Sequence, residues 1–271
     1  MPGRSALNTP WPPEPQDYIS TPFMNADIKH SRALVITDNP FLREQFQAIA
    51  TSHEIGGLFV YRSSPLDETL QSQHRQTDCC PLNIETDWPW ITGNFDLVIS
   101  LHCKQIFPPQ LVRAVRCINV HPGLNPYNRG WYPQVFSIIN KLPLGATIHE
   151  IDEKLDHGSI IAQEQVEVFS WDTSLTAYNR VIQAELRLIR DNLVHIARGD
   201  YYPLTVREEG NLNSRADFRH LCKLDLEERD TLRTFLDRLR ALTHGDCHNA
   251  YFIDKAGKKV FVRIQLDPEL H

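Results

Sequence analysis

The stretch FDLVISLHCKQIFPPQLVRAVRCINVHPG (residues 95–123) decides how this chain folds. Phe95–Leu101 is a short, nearly unbroken apolar run with β-branched residues at its centre, the pattern of a strand buried on both faces. Pro108-Pro109 then breaks the chain, and a helix is expected from about Gln110 to Arg116. Cys117–Val120 follows as another short strand. A strand, a helix and a strand in this order form the unit of parallel sheets, because parallel neighbours need a crossover.

Outward from this unit the pattern continues. Ala33–Ile36 reads as a strand, Thr37-Asp-Asn-Pro40 as turn and helix-start chemistry, and Phe41, Leu42, Phe46 and Ile49 fall at helical spacing. A further strand is expected at Leu58–Tyr61, whereas 63–90 is polar and turn-rich and yields no element. Downstream, a helix is expected over Trp131–Asn140. Strands are expected over Gly145–Ile151 and Ser159–Val168, joined by the turn Asp152–Gly158. The helix at Leu175–Arg198 is amphipathic, with Leu186, Ile189, Leu193 and Ile196 along one face. Residues 31–200 are therefore expected to form an α/β, Rossmann-like domain with a mainly parallel sheet. Residues 201–271 differ, with helices expected at Arg215–Cys222 and Leu232–Leu242. A hairpin is expected from Asn249–Ile253 and Lys259–Leu266 around Asp-Lys-Ala-Gly (254–257). Residues 1–30, punctuated by Pro2, Pro10, Pro12, Pro13, Pro15 and Pro22, read as a proline-rich tail.

Composition bounds the function. With 41% hydrophobic and 23% charged residues in 271, the chain has material for a sizeable core. A net charge of −6 argues against a general nucleic-acid binder but leaves room for a local basic pocket. No apolar run approaches a membrane span, and residues 1–30 lack a secretory layout. No membrane partner is expected, and the location expected is cytoplasmic. Six scattered cysteines suit free thiols rather than a disulfide framework. Neither His-Glu-x-x-His nor zinc-like cysteine spacing occurs, so no metal is expected. The absence of Gly-x-Gly-x-x-Gly and phosphate-loop motifs counts against a nicotinamide enzyme or an ATPase.

The densest chemistry is NVHPGLNPYNRG (119–130). Asn119 and His121 alternate at a strand end, so both side chains leave one face of the chain where α/β sheets bind their ligands. Pro122, Gly123, Pro126 and Gly130 shape the loop that follows. In GATIHEIDEKLDHGSII (145–161), Asp156 lies in a turn between strands. It is either an ordinary turn aspartate or, if beside His121, the charge that orients that imidazole.

These two segments resemble the signature of the formyltransferases that use 10-formyltetrahydrofolate. The pattern Asn-x-His-Pro, Arg-Gly and Asp-x-Gly falls on Asn119, His121, Pro122, Arg129, Gly130, Asp156 and Gly158, and the likeness covers roughly 32–200. The resemblance implies that fold, with Asn119, His121 and Asp156 as the catalytic trio and folate as cosubstrate. A serine familiar in the family is Gly123 here, a change expected to be tolerated as loop shape. ISLHCKQIFP (99–108), PYNRGWYPQVFSIINKLP (126–143) and LRALTHGDCHNAYF (239–252) resemble the dTDP-amino-sugar N-formyltransferases. The implied partners are a dTDP-amino sugar, with a 4-amino-4,6-dideoxyglucose as the sugar, and a second copy of the chain joined through the hairpin.

The same likeness places folate against His102, Cys103, Lys104, Gln105 and Asp152, and the sugar nucleotide against Tyr127, Asn128, Arg129, Trp131 and Tyr132. Arg129 either meets a pyrophosphate or braces its loop, and Trp131 and Tyr132 either face substrate or pack on the core. His121 either takes the proton of the attacking amine or, when protonated, donates to the oxyanion. Other acceptors remain open: a dTDP-3-amino-3,6-dideoxy sugar, UDP-4-amino-4-deoxyarabinose or methionyl-tRNA. A different class is a folate-binding module without catalysis. The product is expected to enter a surface polysaccharide such as a lipopolysaccharide O-antigen.

Overall fold

The computed structural model describes residues 32–65, 80–206 and 208–269; the proline-rich stretch 1–30 lies outside the described residues. Its centre is a six-stranded sheet. Strands β1 (Ala33–Thr37), β2 (Phe59–Arg62), β3 (Leu97–Leu101) and β4 (Arg116–His121) run parallel. After the two-residue β5 (Arg129–Gly130), strands β6 (Leu144–Glu150) and β7 (Ile160–Val166) continue the sheet antiparallel, giving the order β2-β1-β3-β4-β6-β7. The sheet is thus mainly parallel, as the alternation of apolar runs and helices implied.

The helices begin where capping chemistry is supplied. Asn39 accepts from the Leu42 backbone N–H at 3.2 Å and starts α1 (Pro40–Ser52), with Pro40 preset for the first turn. A capping box at Thr173 opens α5 (Ser174–Arg198), and Gly199 at φ +70° closes it. Helix α2 (Ile84–Asn94), capped by Asn83, lies in the segment that composition left without an element. Pro89 inside it reads locally as a breaker, but Ile84 and Ile91 are fully buried, and their packing outweighs the proline's cost. The short α3 (Pro109–Ala114) and α4 (Pro133–Asn140) complete the main layers.

Period-two alternation divides the strand residues between two cores. Val35, Ile99 and Ile118 face the side covered by α1 and α5, whereas Leu34, Ile36, Val98 and Cys117 face α2 and α3. Each such aliphatic side chain contributes about 1.5–3 kcal/mol through burial.

Beyond α5 come β8 (Leu212–Asn213), α6 (Arg215–Cys222), α7 (Leu232–Leu242), β9 (Tyr251–Ile253) and β10 (Lys259–Phe261). A third core of Val135, Ile138, Cys222, Ala241, Leu242 and Ala250 fastens them to α4. The hairpin strands are shorter than expected, because β10 pairs only with the three residues of β9. The carboxyl ends of β3 and β4 carry segments 102–108 and 122–132, which lie side by side over the sheet as the parallel register requires.

Candidate active site

Asn119 and His121 project from one face of β4, and the turn after β6 brings Asp156 to them. Asn119 Nδ2 donates to Asp156 Oδ1 at 3.0 Å, and His121 Nδ1 lies 3.7 Å from Asp156 Oδ2. The Gly130 backbone N–H donates to Asp156 Oδ2 at 3.0 Å, and Asn125 Nδ2 donates to the Asp156 carbonyl at 2.9 Å. Asp156 sits at φ +48°, a left-handed conformation in which aspartate is among the better-tolerated side chains. The amide, imidazole and carboxylate therefore converge.

A fourth group joins them. The β4–β6 register sets His149 opposite Asn119. His149 Nδ1 lies 2.6 Å from the Glu150 carbonyl, which can only accept, so the Nδ1 proton is donated there. That leaves Nε2 as acceptor for Asn119 Nδ2 at 3.2 Å. Both amide protons of Asn119 are thus engaged, one by Asp156 and one by His149. An incoming oxygen must displace one of them to be held by this amide.

Burial lowers His121 from the ordinary imidazole value to about 4, against the opposing pull of Asp156. Its ring is therefore neutral at pH 7. Burial would raise Asp156, but the neighbouring His121 and His149 rings and the Gly130 N–H more than offset it. They hold the carboxyl well below the usual range. His121 Nε2 is buried without a hydrogen-bond partner.

Asn119, His121 and Asp156 border a cavity of about 560 Å³. Of the ligand-contact candidates, His102, Cys103, Lys104, Gln105, Trp131 and Tyr132 also border it, together with Phe218, His244 and Asn249 from the C-terminal segment. Tyr127, Asn128, Arg129 and Asp152 are not among its lining residues. Asn128 is fully buried, its Oδ1 accepting from Asn140, Asn211 and Asn213 and its Nδ2 donating to Ser137. Arg129 donates to the carbonyls of Glu209 (2.7 Å) and Leu155 (3.4 Å), so its fork braces two loops. Asp152 accepts from the Lys154 backbone N–H and lies 2.7 Å from His157 Nδ1. Asn128 and Arg129 thus serve the loop's far side, where β5 pairs with β8, and Asp152 is held within its own turn.

The wall from His102 to Gln105 is held from behind. His102 Nε2 lies 2.8 and 3.0 Å from the two carboxylate oxygens of Glu185, and Nδ1 is 3.2 Å from the Tyr178 hydroxyl. Both ring nitrogens are occupied within the protein. Gln105 accepts from the Ile84 N–H and donates to the Leu82 carbonyl and Ser64, and burial pushes the Cys103 thiol up to about 11. Trp131 and Tyr132 border the cavity, with Arg215 3.9 Å over the Trp131 ring and the Tyr132 and Phe218 ring centroids 4.1 Å apart.

Comparison with known proteins decides the family. A dTDP-4-amino-4,6-dideoxyglucose formyltransferase of Mycobacterium tuberculosis is 54% identical over 179 residues, spanning 66% of this chain and 76% of that protein. A GDP-perosamine N-formyltransferase of Brucella melitensis is 29% identical over 158 residues, 56% of this chain and 59% of that one. The formyl transferase family model matches residues 92–193, and the N-formyltransferase dimerization C-terminal domain matches 217–268. The chain belongs to the formyl transferase family.

Solved relatives share the formyltransferase fold at length. A sugar N-formyltransferase from Shewanella has a TM-score of 0.83 at 42% identity, covering 89% of this chain and 99% of that one. A 4-N formyltransferase from Francisella tularensis has a TM-score of 0.80 at 40% identity, covering 88% and 99%. Two residues at this formyltransferase's site escaped sequence reasoning. His149 lies inside the quoted motif, and Glu185 shares the buried face of α5 with Ile182 and Ile189; that placement of a carboxylate was the available signal. Among the described residues no cluster of His, Cys, Asp or Glu is arranged to hold a metal, and no helix is long and apolar enough to cross a membrane.

Proposed function

We propose that this enzyme transfers the formyl group of 10-formyltetrahydrofolate to the amine of dTDP-4-amino-4,6-dideoxyglucose. The observation that carries the reading is a neutral imidazole and an ionised carboxylate meeting an amide at one cavity wall. The 54% identical relative supports this acceptor. His121 Nε2, buried and without a hydrogen-bond partner, takes a proton from the neutral amine as its nitrogen bonds to the formyl carbon. Asp156 stabilises the imidazolium so formed. Asn119 supports the oxyanion once one of its present acceptors yields. The donor supplies a formyl group already bound to nitrogen. When the carbonyl re-forms, the folate nitrogen leaves and accepts a proton, with tetrahydrofolate and a formamide as products. The His102–Gln105 wall is the proposed folate side, and Trp131 and Tyr132 the sugar-nucleotide side.

The protein is proposed to act in the cytoplasm and to feed a surface polysaccharide such as an O-antigen. A homodimer is proposed through the hairpin, whose Ile253, Val260 and Phe261 are exposed and lie within the matched dimerization segment. Sedimentation should give the mass of two chains; a single-chain mass at micromolar concentration removes the dimer.

The activity is tested by incubating the protein with 10-formyltetrahydrofolate and a panel of dTDP- and UDP-amino sugars. A mass gain of one formyl group on the 4-amino-4,6-dideoxyglucose nucleotide is expected. Formylation of another sugar alone would replace the acceptor, and folate binding without product would mark a binding module.

A further inference from the structure

We infer that Glu185 is a positioning residue for folate binding: its carboxyl, acting through the His102 ring, fixes the start of the His102–Gln105 wall in the shape that receives the cosubstrate. The inference rests on the reading of that wall as the folate side. Glu185 is an ionisable group in the core that the transfer mechanism leaves without a task. It is fully buried in α5 and is not among the residues lining the cavity, so it acts through a neighbour. Ser174, Tyr178 and Glu185 fall at i, i+4 and i+11 of the helix, which places them on one stripe, and the first two border the cavity. Val181 and Ile189 beside that stripe belong to the main apolar core.

His102 directly follows β3, and its backbone sits at φ +56°. A left-handed backbone is uncommon for a residue with a Cβ and persists where the surroundings over-determine it. Here the ring supplies the determination. Its Nε2 lies 2.8 and 3.0 Å from the two Glu185 oxygens, and its Nδ1 lies 3.2 Å from Tyr178 Oη. Both partners stand on α5, two turns apart, so the ring is gripped at both nitrogens by one rigid element. The proton between the Glu185 carboxyl and Nε2 makes the same bond whichever atom holds it. Burial pushes the Glu185 carboxyl up against the opposing pull of His102, so the pair is costly to bury. Apolar side chains at both positions would serve the core at least as well. What the pair adds is direction: it fixes the ring, and with it the backbone from which Cys103, Lys104 and Gln105 follow. Further along, the Lys104 N–H donates to Asp38 Oδ2 at 3.1 Å, and Gln105 is tied to Ser64, Leu82 and Ile84. The wall is thus pinned at both ends, and Glu185 supplies the pin nearest β3.

The test measures folate affinity in Glu185→Met, which keeps the length of the side chain and removes the hydrogen bond. Its KM for 10-formyltetrahydrofolate, and its Kd for tetrahydrofolate by calorimetry, are expected to rise about tenfold. Its kcat and its KM for the sugar nucleotide are expected to stay within about threefold of wild type. Glu185→Gln, whose amide still meets Nε2, is expected to stay within about threefold on every constant. In a His102→Ala background, Glu185→Met is expected to raise the tetrahydrofolate Kd no further, because no ring remains to be held. A wild-type Kd in Glu185→Met, an equal rise in both backgrounds, an equal loss in Glu185→Gln or an equal rise in the sugar-nucleotide KM overturns the inference. If Glu185→Met alone does not fold, folding of the double variant upholds the pairing with His102, and failure of both overturns it. Wild-type protein that binds no tetrahydrofolate removes the folate reading together with this inference, whereas wild-type binding with an unchanged Glu185→Met removes this inference alone.

Discussion

Asp156→Asn is expected to lower kcat by on the order of 10³-fold while the chain still folds. The backbone tolerates the change, because asparagine accepts the left-handed conformation found at φ +48°. The hydrogen bonds do not. Asp156 Oδ1 accepts from Asn119 and Oδ2 from the Gly130 N–H, so each oxygen faces a donor. An asparagine amide has one oxygen and one NH₂, and in either orientation a donor meets a donor. Leaving one such buried group unpaired costs about 1–3 kcal/mol, which predicts cooperative melting at a Tm lower by a few degrees. The kinetic loss is larger because the charge beside His121 disappears, and a ring already pushed towards neutrality holds an abstracted proton still less well. Single-turnover formyl transfer measures the chemical step directly. A rate within tenfold of wild type would show that the carboxylate is a turn residue and no more.

His121→Asn is expected to cost about 10²- to 10⁴-fold in kcat, the range for removal of a general base, with KM changed far less. The same substitution carries a stability signature of definite sign. The imidazole titrates near 6.5 in the unfolded chain and at about 4 in the folded one. Between those values the unfolded state binds the proton and the native state does not, so stability is lost as pH falls. The slope is about 1.4 kcal/mol per pH unit, or roughly 2 kcal/mol between pH 6.5 and 5. Denaturant unfolding should show this loss in the wild type and a correspondingly flatter acid limb in His121→Asn. Identical limbs would mean that the ring is not held neutral by burial.

Much of this architecture was legible before any coordinates. The parallel strands announce themselves because residues buried on both faces must be continuously apolar, as in Leu97–Leu101. The trio was legible because Asn119 and His121 share a strand face by alternation and Asp156 occupies a turn with a recognisable motif. Helix α2 was not, since Pro89 and the polar composition around it describe the solvent side while Ile84 and Ile91 carry the burial. Arg129 shows the limit of a motif: its place in the signature is clear, but its two carbonyl partners belong to loops 26 and 80 residues away.

By itself the sequence determined the strands and helices other than α2 and the two-residue β5 and β8, which face of β4 carries the site side chains, and that the C-terminal segment is a separate set of helices and a hairpin. Only the tertiary structure decided the partners: Glu185 behind His102 and His149 on the amide of Asn119. The physical reason is range. Periodicity and capping act between chain neighbours, whereas a buried polar group takes whatever acceptor the packed core brings to it, here across 83 residues for His102 and Glu185.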